Sequence, residues 1–132
     1  MLKHKKLYLF LMLFIVLLFP ACTNSPQSAQ KKIEKIARDM KAELPKMLDR
    51  DTKLVNVQAK KLELVSEYEL VNYKQTETGD LMTKNKIELY LKKQVCPGIK
   101  KQLLNKGISS RYIYKDNSGQ IIGDWLISPG DC

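Results

Sequence analysis

The sequence predicts an α+β domain: an antiparallel sheet of about four strands, arranged as two hairpins, with helices packed on one face. Three observations carry this. Apolar residues recur at spacings of three and four across 33–48 and 87–95, the period of a helix with one buried face. Across 52–73 and 108–128 the period changes to two, the signature of strands with one wet face. The order is therefore helix, two strands, helices, two strands, and a length of 132 residues suits one domain and is too short for two.

The first helix is read from about Ser28, with Ile33, Ile36, Ala37, Met40, Leu44, Met47 and Leu48 on one stripe. Pro45 has no amide to donate and disfavours a helical residue before it, so the helix should end or kink near Leu44. "TKLVNVQA" (52–59) and "KLELVSEYELVNY" (61–73) follow as a hairpin turning near Ala59-Lys60-Lys61. In its second strand Leu62, Leu64, Tyr68 and Leu70 share one parity, and Glu67 and Glu69 take the other. "TETGD" (76–80) breaks the pattern before a second helix, Leu81 to Val95, whose apolar face is Ile87, Leu91 and Val95 with Tyr90 beside it. "CPGIKKQLLNKG" predicts a short third helix with Pro97 near its start and Gly107 as its C-terminal cap. The second hairpin is "ISSRYIYK" (108–115), the turn "DNSG" and "QIIGDWLIS" (120–128), with Ile121, Trp125 and Ile127 on one parity and Asp124 on the other.

Ahead of this domain lies a bipartite start. Lys3, Lys5 and Lys6 precede thirteen residues, Leu7 to Phe19, that are apolar apart from Tyr8. A basic patch before an apolar run of this length is the pattern of an export signal. A membrane span needs about 20 apolar residues, more than this run supplies. Phe19-Pro20-Ala21-Cys22 resembles the lipobox of bacterial lipoproteins, in which the chain is cut before a diacylglyceryl-modified cysteine; Phe19 and Pro20 depart from the usual residues. The resemblance implies a signal peptide over 1–21, a lipidated polar tether over 22–29 and one domain over 30–132. Thr23 is not the aspartate that keeps many such lipoproteins in the inner membrane, which implies the periplasmic side of the outer membrane, or the cell membrane where there is no outer one.

Removal of 1–21 leaves twenty basic against fourteen acidic residues, a formal +6. A basic domain ordinarily suggests nucleic acid. Export excludes that partner, leaving anionic lipid head groups, an acidic protein surface, or charge that serves only solubility. If Cys22 carries lipid, Cys96 and Cys132 become an even pair in a compartment that permits disulfides. A bond between them would pin the C-terminus; the alternative is a buried free thiol at Cys96 and a loose end at Cys132.

The only histidine, His4, lies in the signal, so no imidazole remains for a nucleophilic triad or a zinc site, and there is no Gly-rich phosphate loop. The carboxylates Asp49, Asp51, Glu67 and Glu69 stand among lysines and read as solvated charge. The expectation is a non-catalytic protein with no metal, cofactor or small-molecule substrate. Arg111, Tyr112, Tyr114 and Trp125 are the candidate partner-binding residues, because Arg, Tyr and Trp most often anchor interfaces; Tyr and Trp at this spacing are more often core.

Taken together, a lipobox cysteine, a polar tether, a helix ending in "ELP", two strands, a helix ending in "QVCP", a short helix ending in "NKGI" and a last hairpin closed by "DC" resemble the α/β pilotins of bacterial type II secretion. That resemblance implies Cys22 as lipid site, a Cys96–Cys132 bond, and binding of the C-terminal segment of an outer-membrane secretin subunit. "LPKMLDRDTKL" (44–54) is more similar to small exported disulfide-bonded domains of unassigned function. An exclusion or immunity lipoprotein of phage or plasmid origin is the alternative function.

Overall fold

The computed structural model describes residues 25–76 and 81–132. The signal segment and Cys22 lie outside the described residues.

Helix α1 spans Pro26–Lys41 and starts earlier than the apolar stripe alone indicates. Ser25 caps it through its side chain, and Pro26 occupies the first turn, where a missing amide costs nothing. Ile33 and Ala37 are buried, with Ala29, Ile36 and Met40 packed around them. The helix ends three residues before Leu44. Met47 and Leu48, placed on its stripe by the sequence, are instead half exposed at 50% and 51%, because Pro45 redirects the chain into a two-residue strand β1, Lys46–Met47. The Asp49 carboxylate then accepts the Asp51 and Thr52 amides, both at 2.8 Å, and fixes the turn into strand β2, Thr52–Lys60.

Strand β2 pairs antiparallel with β3, Glu63–Leu70, through the expected hairpin. Its register shifts between Leu54 and Asn56. Strict alternation would set Leu54 and Val57 on opposite faces; the extra residue, Val55, lets both be buried, at 3% and 1% exposure. Helices α2, Leu81–Val95, and α3, Ile99–Leu104, then carry the chain back. Gly107, at φ 77°, closes α3, as the Ile108 amide reaches the Leu103 carbonyl at 3.0 Å. Strands β4, Ser109–Lys115, and β5, Ile121–Ile127, form the second hairpin.

The sheet has five strands in the order β1-β2-β3-β4-β5 and is mixed. The expectation of about four, all antiparallel, is corrected at two places: β1 adds an edge, and β4 runs parallel to β3, Glu63 beside Ser109 and Tyr68 beside Tyr114. A crossover through helices carries the chain back to the end at which β3 began, so β4 starts beside the start of β3 and runs parallel to it. The three helices lie against one face and the core sits between, with Leu54, Leu64, Tyr68, Leu91, Ile108 and Tyr112 among its buried side chains. Ile121 departs from its expected buried parity and is 56% exposed, because a register shift between Tyr114 and Lys115 releases the start of β5.

Cys96 and Cys132 form a disulfide with Cα atoms 5.4 Å apart, so the C-terminus is tied to the end of α2. Among the described residues, the opposite face of the sheet carries no helix. It is laced by ion pairs: Lys53–Glu69 at 3.0 Å, Lys115–Glu67 at 2.6 Å, and Arg111 to both Glu63 and Asp124 at 2.7 and 3.0 Å. Val65, beside Arg111 on this face, is only 3% exposed. Pairs of this kind are worth about 0–1 kcal/mol each, and their aliphatic stems cover the apolar residue between them.

Candidate groove for a partner segment

The parallel seam between β3 and β4 brings three tyrosines together on the helix-bearing face. Tyr68 and Tyr114 are register partners with ring centroids 4.7 Å apart and planes 18° from parallel; Tyr112 lies 6.3 Å from Tyr68 at 15°. Trp125, across the second hairpin from Tyr112, meets Tyr114 edge-on at 5.8 Å and 79°. Gly123 makes that possible: a Cβ there would lie 2.4 Å from the indole ring, so the ring folds back over a residue without a side chain. Burial pushes all three phenols above the usual tyrosine range, so they stay neutral donors.

These rings floor a groove of about 750 Å³. Ile87, Tyr90 and Leu91 of α2 form one wall, and Leu48 and Leu70 the other. Helix α2 makes a wall rather than a lid because few of its side chains reach the sheet. Leu91 and Val95 are buried, while Leu89 and Tyr90 remain 56% and 57% exposed. Trp125 braces the helix from the side of β5: Glu88, held below the usual carboxylate range first by Lys92 at 2.9 Å and also by the Trp125 indole, links the two elements. The lining of the groove is mostly apolar and includes Asp49 and Lys86. A mostly apolar trough of this volume with two charged residues in its lining suits a protein segment better than a small polar substrate.

Of the four residues picked from the sequence, Tyr112 and Tyr114 lie in the floor and Trp125 beside it, whereas Arg111 sits on the other face, engaged by Glu63 and Asp124. Tyr112 and Tyr114 are 1% and 6% exposed, so they serve as core and floor at once. Sequence reasoning missed Tyr68, Tyr90, Leu48 and Leu70. Tyr68 and Leu70 were legible as inward residues of their strand, but only the parallel pairing sets them in one floor with Tyr114. The carboxylates do not converge. The Asp49 carboxylate is held low by the amide bonds of its turn, first that of Asp51, while Glu67 bonds Lys115 and Asn56 on the far face. Among the described residues no group of three or more His, Cys, Asp or Glu side chains could hold a metal ion.

No protein-family profile matches the chain, and no curated protein matches it either. Solved structures do. The pilotin EpsS from the Vibrio vulnificus type 2 secretion system superposes with a TM-score of 0.64 at 18% identity, over 80% of this chain and 93% of that one. The type II secretion pilotin AspS from Vibrio cholerae gives 0.56 at 19%, over 80% and 94%. The fold is pilotin-like. A protein of Pseudomonas aeruginosa described as secreted shares this pilotin-like fold, with a TM-score of 0.64 at 18% identity over 85% of this chain and 98% of that one.

Proposed function

We propose that the chain is a lipid-anchored, non-catalytic binding protein of the cell envelope that holds a segment of an outer-membrane secretin subunit, or of a similar envelope protein, in the tyrosine-floored groove. The observation that carries this reading is the groove itself, an apolar trough with exposed walls in a pilotin-like fold. Cys22 supplies the anchor, and the outer membrane's periplasmic side is the location that its lipobox-like context favours. The domain contributes recognition, with Tyr68, Tyr112 and Tyr114 as a rigid floor and Tyr90 as a wall that a partner would bury.

Fluorescence titration with a synthetic peptide of the C-terminal segment of the secretin from the same organism tests the partner. Tyr90→Ala, which removes an exposed ring and leaves the core intact, should weaken binding about tenfold; a peptide that does not bind, or that binds the variant equally well, contradicts the reading. Metabolic labelling with a palmitate analogue tests the anchor separately. The label should be lost in Cys22→Ser, and unchanged labelling removes Cys22 from its role.

A further inference from the structure

The formal positive charge of the described chain is distributed unevenly. Strands β2 to β5 carry Lys53, Lys60, Arg111 and Lys115 against Glu63, Glu67, Glu69 and Asp124, and are neutral in sum. The excess lies in the helices and turns, and the topology gathers part of it at one end. Lys60 is the last residue of β2 and adjoins Lys61 in the β2–β3 turn. The Ser109 amide bonds the Leu62 carbonyl at 2.9 Å, which brings the start of β4 to that turn, and Lys106 stands three residues before Ser109. Lys32 of α1 meets Lys106, and Lys31 is its neighbour in the chain. All five lysines are exposed. Glu63 is engaged by Arg111 at 2.7 Å, Glu34 by Gln30 at 3.1 Å, and Glu67, which also feels Lys60, by Lys115 at 2.6 Å.

Two ammonium groups brought together with no carboxylate between them are a feature that folding alone does not favour. The Lys32 ammonium is pushed below the usual lysine range, first by Lys106. An external anion relieves that repulsion. We propose that this pole, Lys31, Lys32, Lys60, Lys61 and Lys106, rests on the anionic phospholipid head groups of a bilayer, with the groove at the opposite end pointing away from it. The polarity follows from the strands. Leu48, Thr52, Leu70 and Tyr114, which line the groove, lie at or near the start of β2 and the ends of β3 and β4, the far end of the sheet from the β2–β3 turn. The orientation rests on the reading of Cys22 as the anchor. Cys22 lies three positions before Ser25, a reach of at most about 11 Å, so the anchor holds this pole at the head groups. There the electrostatic attraction, which decays over about 8 Å at physiological salt, can act.

Sedimentation with vesicles reads the lysine pole without the anchor, using the chain from position 22 onward with Cys22→Ser, which retains every described element. The chain should bind vesicles of phosphatidylglycerol and phosphatidylcholine, ignore pure phosphatidylcholine, and be released by added salt. Lys32→Gln, Lys61→Gln and Lys106→Gln together should reduce partitioning about a hundredfold. Lys74→Gln, Lys84→Gln and Lys93→Gln, with the same loss of charge away from this pole, should reduce it by less than about threefold. Equal losses in the two triple variants would show attraction to net charge alone and overturn the proposal, as would equal binding to neutral and anionic vesicles or binding to neither. Failure of the palmitate label, by contrast, bears on the anchor and leaves the vesicle result standing.

Discussion

Asp116 shows how much one side chain organises. It is fully buried, and its carboxylate accepts the Gln75 amide at 2.9 Å, the Ser118 amide and hydroxyl at 2.9 and 2.7 Å, and the Gln120 amide at 2.9 Å. It thereby builds the β4–β5 turn and ties the segment after β3 to it. These donors, Gln75 first, hold its pKa down to about 2. Because the folded value lies below that of the unfolded chain, the stabilisation is complete above about pH 4 and is lost as pH falls through about 2. Asp116→Asn should therefore lower the melting temperature at neutral pH, and thermal scans should show the gap to the parent closing between pH 4 and pH 2. A gap independent of pH would contradict the assignment. The sequence disclosed "DNSG" as a turn but not the acceptor role of its aspartate, since Gln75 lies 41 residues away.

Among the elements, those with a local cause were readable. Ile33 and Ala37 mark the inner face of α1, Leu103 with Gly107 marks the end of α3, and the glutamates of β3 mark its wet side. What could not be read is long-range. Nothing in Glu63–Leu70 or Ser109–Lys115 states that the two strands run parallel, yet that pairing creates the tyrosine floor. The bulge at Val55 and the redirection at Pro45 likewise depend on what the helix and sheet can bury, so period counting misplaced Met47 and Leu48. Helix α2 buries Leu91 and Val95 and leaves Leu89 and Tyr90 exposed, and the Cys96–Cys132 bond ties its end to the C-terminus. Loss of both cysteines (Cys96→Ala, Cys132→Ala) should cost about 3–4 kcal/mol in denaturant unfolding. Amide exchange in α2 should quicken more than in β3 and β4. Uniform quickening across the domain would show that the bond does not act on the groove wall.

At the scale of the molecule, the parts divide by face and by end. One sheet face is closed by ion pairs between its own strands, the other carries the helices, the groove opens at one end, and the lysines gather at the other. On the proposed reading, a lipid anchor beside the lysine pole and a partner in the groove act at the same time, because the pole and the groove occupy opposite ends. The central claim is that the groove receives the partner segment. The most direct measurement is a chemical-shift map of the domain titrated with the secretin peptide. The account predicts that Tyr68, Ile87, Tyr90 and Tyr114 shift together while Val65, Arg111 and Lys115 on the ion-paired face do not; shifts confined to that face, or to the β2–β3 turn, would contradict it.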